Sequence, residues 1–263
     1  MIPKAFITEW STTAPWQTNE QVEQDLVICR ALTAIFNDEF LSSSLAFRGG
    51  TALHKLYLQP QPRYSEDIDL VQISPAPIKE TIKRLQECLS FLGDATVHPR
   101  NSNNTLKFRF LSEFSSDKTL RLKIEINCRE HFTVLDYHKF PFQVESTWFG
   151  GKCDITTYKL EELLGTKLRA LYQRRKGRDL FDLYKAISLI PDLNVDDIIK
   201  SYKKYMEFSA GQPPTQKQFL LNMEAKMKDD EFLGDTLALL RVGENYDHNV
   251  AYELVKNLII SKI

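Results

Sequence analysis

Asp67 and Asp69, two residues apart in the run Asp67-Ile68-Asp69-Leu70, are the residues whose type and spacing most directly suggest chemistry. On a β-strand, side chains two apart point the same way, so the two carboxylates project together while Ile68 and Leu70 enter the core. Carboxylates held that close repel unless a cation lies between them, and hard oxygen ligands favour Mg²⁺, or Mn²⁺. Upstream, Phe47-Arg48 runs into Gly49-Gly50-Thr51, a strand end followed by a glycine pair whose amides can approach phosphate closely. Ser65 stands beside the same stretch, as a nucleotide-side candidate or as a plain turn serine. A later segment alternates Leu120, Leu122, Ile124 and Ile126 with Arg121, Lys123, Glu125 and Asn127, which puts Glu125 mid-strand on a polar face. Beside the Asp67-Asp69 strand it would present a third acid to the same ions.

The elements that must position these groups follow from periodicity. Val22, Leu26, Cys29, Leu32 and Phe36 predict a helix from about 19 to 40, with Asn19 as its cap. Leu45 to Phe47 is a short strand, and Gly49 to Tyr57 a short helix. Gln59-Pro60-Gln61-Pro62-Arg63 is a loop, because each proline removes a donor. Strands are expected at 67–73, 105–112 and 119–127, the last two joined by a turn at Ser115-Ser116-Asp117-Lys118, and at 132–135 and 143–148. Ile78, Ile82, Leu85, Leu89 and Leu92 mark a helix from 77 to 92. From Tyr158 the pattern is helical, with Leu160, Leu163, Leu164, Leu168 and Leu171 as the stripe, Lys167 on its border, and a second helix from Arg178 to Leu189. The shift near residue 152 gives a bilobed α+β reading. A lobe of residues 1–151 has a mixed β-sheet flanked by helices, and a mainly helical lobe covers 152–263.

With 263 residues, 43% hydrophobic and 26% charged, the chain has the composition of a globular protein with ample core. A net charge of −1 gives no bulk attraction for nucleic acid, so any such contact needs a local patch. Cys29, Cys88, Cys128 and Cys153 form no C-x-x-C pair, which argues against a zinc knuckle or redox motif. No run reaches the length of a membrane span and no signal-peptide core is visible, so the expectation is a cytoplasmic protein without a membrane.

Gly49-Gly50-Thr51, Asp67-x-Asp69 and Glu125 together resemble the nucleotidyltransferase superfamily of DNA polymerase β. The second cluster, Lys167-Leu168-Arg169-Ala170-Leu171, Arg174, Arg178-Asp179-Leu180 and Asp182-Leu183, is similar to the AbiEii/AbiGii group, which includes the MenT toxins of type IV toxin–antitoxin and abortive-infection systems. The resemblance implies a nucleotidyltransferase that moves NMP from an NTP to RNA, in the family to the 3′ end of tRNA, which blocks translation, opposed by a cognate antitoxin. It implies Asp67, Asp69 and Glu125 as metal ligands for Mg²⁺ or Mn²⁺, and Gly49, Gly50, Thr51, Ser65, Lys167 and Arg178 as the nucleotide contacts. Lys167 and Asp182 join the acids as catalytic residues, the lysine neutralising triphosphate charge and Asp182 orienting Lys167 or Arg178 by a salt bridge. Two other readings remain: transfer to a small hydroxylated molecule, which does not call for the basic run Arg174 to Arg178, and a catalytically weak module that only binds an antitoxin. Asp179 and Asp182 have a plainer reading too, as partners of Arg175 and Arg178 on a helix surface.

Overall fold

A computed structural model describes residues 2–100, 103–115 and 117–263 of the chain. The predicted turn around Ser116 includes a residue outside that set. The chain forms two compact units, one of residues 1–132 and 137–158, the other of residues 133–136 and 159–263.

The first unit is built on a seven-stranded mixed sheet: β1 (Leu45–Arg48), β2 (Asp67–Gln72), β3 (Ala95–Arg100), β4 (Asn103–Leu111), β5 (Thr119–Asn127), β6 (Tyr137–Glu145) and β7 (Gly150–Tyr158). The spatial order is β3-β4-β5-β2-β1-β7-β6. β2 runs parallel to β5, and β1 parallel to β7; the other neighbours are antiparallel. Alternation sorts β5 as its sequence requires: Leu120, Leu122, Ile124 and Ile126 are buried, and the residues between them are not. β3 lies at an edge and carries Pro99, which has no N–H for a second neighbour.

Among the described residues the α-helices of this unit are α1 (Lys4–Trp10), α2 (Asn19–Asn37), α3 (Glu39–Ser44), α4 (Gly49–Ala52, continuing as one wider turn over Leu53–Tyr57) and α5 (Ile78–Cys88). α2 supplies core through Leu26, Ile28, Leu32 and Ile35, all fully buried. Its cap is Thr18 rather than Asn19. The Thr18 hydroxyl accepts from the Gln21 amide at 3.3 Å and Gln21 Oε1 accepts from the Thr18 amide at 3.2 Å, a reciprocal capping box. A buried charge cluster accompanies it, in which Lys55 Nζ donates to both oxygens of Asp25 at 2.8 and 2.7 Å and the indoles of Trp10 and Trp16 donate to the same carboxylate.

The second unit is helical: α6 (Leu160–Gln173), α7 (Gly177–Leu189), α8 (Val195–Ala210), α9 (Gln216–Lys226), α10 (Asp230–Gly234) and α11 (His248–Leu258). α6 and α8 approach closely at Gly165, where a Cβ would meet Ser201 Cβ at 2.6 Å and the Ile198 carbonyl at 2.9 Å. Residues 132–135, expected as a strand, are irregular. Glu162, fully buried, instead accepts from Thr133 Oγ1 (2.7 Å), the amides of Val134 (2.9 Å) and Leu135 (2.8 Å), and Tyr205 OH (2.7 Å). Four donors on one carboxylate are what make its burial tolerable. Among the described residues no helix is long and apolar enough to cross a membrane.

Candidate active site

The sheet brings Asp67, Asp69 and Glu125 onto one face. In the parallel β2–β5 ladder Asp69 is paired with Glu125, and Asp67 with Lys123. Side chains opposite one another on neighbouring strands share a face, so the third acid stands beside the first two as its alternation implied. Lys123 was not among the residues singled out from sequence, although the same alternation puts it two residues from Glu125. Its ammonium lies 3.1 Å from Asp67 Oδ2 and 2.9 Å from Glu125 Oε1. Burial disfavours that charge, but the Glu125 and Asp67 carboxylates outweigh it and hold Lys123 above the ordinary lysine range.

On the other side of β2 the register sets Arg48, the last residue of β1, beside Asp69. Arg48 Nη1 pairs with Glu130 Oε2, both largely buried. The chain then turns at Gly49, whose φ of +78° is a conformation that side chains rarely adopt. A Cβ there would stand 2.1 Å from Asp69 Oδ2. Gly49 is therefore required twice, for the turn and for the carboxylate that fills the space a side chain would take. Thr51 is buried, and its hydroxyl donates to the Asp67 carbonyl and shares a 2.8 Å hydrogen bond with Ser65 Oγ. Thr51 and Ser65 thus brace the turn to the start of β2.

The donor set fits a divalent ion. Hard carboxylate oxygens converge on one face, and the Lys123 ammonium already answers their need for positive charge. Among the described residues no three or more ligating side chains of His, Cys, Asp or Glu come together as one metal-holding group. Asp67, Asp69 and Glu125, expected as a three-ligand set, therefore share a face without forming one such group.

Within the helical unit, Lys167 of α6 meets two acids of α7, with its Nζ 2.8 Å from Asp182 Oδ2 and 3.2 Å from Asp179 Oδ1. Both carboxylates are fully buried and Lys167 nearly so. Arg174 forks onto Asp179, with Nε at 2.7 Å and Nη2 at 2.8 Å. Burial raises the Asp179 pKa, yet Lys167 and Arg174 together bring it below the usual aspartate range. The surface pairing expected as the plainer reading is not what forms: Arg175 pairs with Asp229 and Arg178 with Asp235. Arg178 also donates its amide to Asp235 Oδ2 at 3.3 Å.

A family model for the nucleotidyl transferase AbiEii toxin of type IV toxin–antitoxin systems matches residues 30–248, most of the chain and both clusters. The chain belongs to the AbiEii family. It is accordingly a toxin nucleotidyltransferase of a type IV system, with an NTP as substrate and an antitoxin as its counterpart. The fold agrees with solved structures of low sequence identity. MenT4, a nucleotidyltransferase toxin of Mycobacterium tuberculosis, superposes with a TM-score of 0.69 at 13% identity, over 100% of this chain and 91% of that one. JHP933 of Helicobacter pylori gives 0.57 at 20% identity, over 93% and 94%. No curated protein matches the chain significantly.

Proposed function

We propose that this AbiEii member transfers NMP from an NTP to an RNA acceptor, the 3′ end of tRNA, and so blocks translation. The terminal hydroxyl oxygen attacks the α-phosphorus, the bond to the bridging oxygen of pyrophosphate breaks, and pyrophosphate leaves. Asp67 and Asp69 would hold Mg²⁺, which when bound would neutralise phosphate charge and polarise the phosphoryl oxygens. The Gly49 and Gly50 amides take the leaving phosphates. Glu125 is proposed to accept the hydroxyl proton, and Lys123 to keep the acid face oriented and partly neutralised. Lys167, Asp182 and Arg178 are proposed to serve NTP use, on the strength of a family match that spans them.

The observation that carries this reading is the cross-strand placement of Asp69 beside Glu125, with Gly49 packed under Asp69. The test is incubation of the purified protein with each radiolabelled NTP, Mg²⁺ and total tRNA, with Asp67→Ala in parallel. Label on tRNA from wild type alone supports the proposal. Label only on a small hydroxylated acceptor would replace it with small-molecule transfer, and no transfer by either protein would leave an antitoxin-binding module.

A further inference from the structure

The polar face of β4 and β5 carries two successive cross-strand pairs of like charge. Lys107 stands opposite Lys123, and Arg109 opposite Arg121. Like charges directly opposite one another destabilise a sheet, and the usual relief is a neighbouring carboxylate. Lys123 has that relief from Asp67 and Glu125. Among the described residues Lys107, Arg109 and Arg121 have no carboxylate partner, and the two arginines are exposed. A chain whose net charge is −1 has carboxylates to spare, yet this face has none for those three cations.

Register ties the cations to the acids. Asp67, Lys123 and Lys107 form one row across three strands, and Arg121 and Arg109 form the next row, about 7 Å further along the strands. The sheet order sets β5 and β4 on one side of β2, and β1 with its glycine turn on the other. Nucleotide phosphates at Gly49 and Gly50 would lie on the β1 side of the acids. The basic rows lie on the opposite side, where the attacking strand must arrive.

We propose that Lys107, Arg109 and Arg121 form the landing surface for the phosphate backbone of a single-stranded RNA end, which leads its terminal hydroxyl to Asp67 and Asp69. Guanidinium forks match phosphate oxygens, and two rows of cations with no internal partner suit a polyanion better than an isolated ligand. The inference rests on the RNA-acceptor reading above and adds to it the face that RNA uses.

The experiment compares wild type with the triple variant Lys107→Gln, Arg109→Gln, Arg121→Gln. Anisotropy is read with a short labelled single-stranded RNA and with total tRNA, across roughly 50 to 200 mM salt. Expected for the variant are at least a tenfold loss of affinity and a salt dependence shallower by about 2 in log–log slope, at about 0.7 per lost contact. In the transfer assay KM for the acceptor rises while KM for NTP does not, and Tm stays level or rises as repulsion is relieved. Unchanged RNA affinity and slope, with wild type still labelling RNA, overturns the surface and leaves the acceptor reading intact. Failure of wild type to bind or label RNA overturns both. Loss of antitoxin protection with RNA affinity retained overturns the proposal in favour of a protein partner.

Discussion

Replacing Gly49 with alanine perturbs the acid pair without removing a charged group. An L-residue at a φ of +78° costs about 1–2 kcal/mol. The new Cβ would stand 2.1 Å from Asp69 Oδ2 and 2.8 Å from both Cβ and Cγ of Asp69, more than 1 Å inside normal contact for the oxygen. Relief requires Asp69 to leave its rotamer, at about 0.5–1.5 kcal/mol, or β1 and β2 to separate. The sum is about 1.5–3.5 kcal/mol of stability, or a fall in Tm of roughly 3–14 °C. Transfer is expected to suffer more than folding, because a reacting constellation displaced by about 1 Å loses on the order of 100-fold in rate. Initial rates of NMP transfer and thermal melts of Gly49→Ala check both. The mechanism also predicts non-additivity: in an Asp69→Ala background, where the oxygen and Cγ are gone, Gly49→Ala should cost about 1 kcal/mol less. Wild-type turnover and Tm in Gly49→Ala, or an equal cost in both backgrounds, would refute the argument.

Asp69→Asn keeps the shape of the side chain and should abolish transfer and growth inhibition with little change in Tm; retained toxicity in cells would count against the metal role. Lys167→Met leaves fully buried carboxylates short of a cation and should destabilise the protein by about 3–5 kcal/mol, read by denaturant unfolding, with an unchanged midpoint speaking against a buried network. Glu20 is held down to about 2 by hydrogen bonds from Lys118 and Ser115, against 4.5 for an ordinary glutamate. Its folded pKa lies below its unfolded one, so its contribution is complete above about pH 4.5 and is lost as pH falls toward 2. Exposure of Lys118 lets solvent screen the pair, so the effect is small. Glu20→Gln should therefore lower stability at neutral pH and converge on wild type in acid; parallel pH–stability curves would contradict it.

Local chemistry was legible in the sequence and long-range pairing was not. Alternation alone fixes Asp67 and Asp69 on one face, because a strand has a period of two whatever its neighbours. The same rule put Glu125 and Lys123 on a polar face but could not say which strand lies beside them. Parallel neighbours come from segments far apart in the chain, and β2 meets β5 across more than fifty residues. Lys123 is recognisable as the acids' counter-charge only once Asp67 is seen opposite it. Strands expected at 132–135 and 143–148 became an irregular segment held by Glu162 and the longer pair β6–β7, in which Pro141 and the Gly150-Gly151 start obscure the pattern. In the helical unit Asp179 and Asp182 were visible as a pair. The partner of Asp179 was not, since α6 ends at Gln173 and the extended backbone at Arg174, which lets Arg174 and not Arg175 reach Asp179, has no signal in the residue pattern.

Glu162 carries a consequence for any attempt to dissect the protein. The peptide 133–136 belongs to the helical unit although sheet strands flank it in sequence. A fragment of residues 159–263 would leave it behind, stripping three of the four donors from a carboxylate that has no exposure to water. Glu162 would then have Tyr205 alone, and the fragment would have to open to let water reach the carboxylate. The helical unit is discontinuous in the gene, and deletion mapping that treats it as a detachable tail would mistake a folding defect for loss of a binding function.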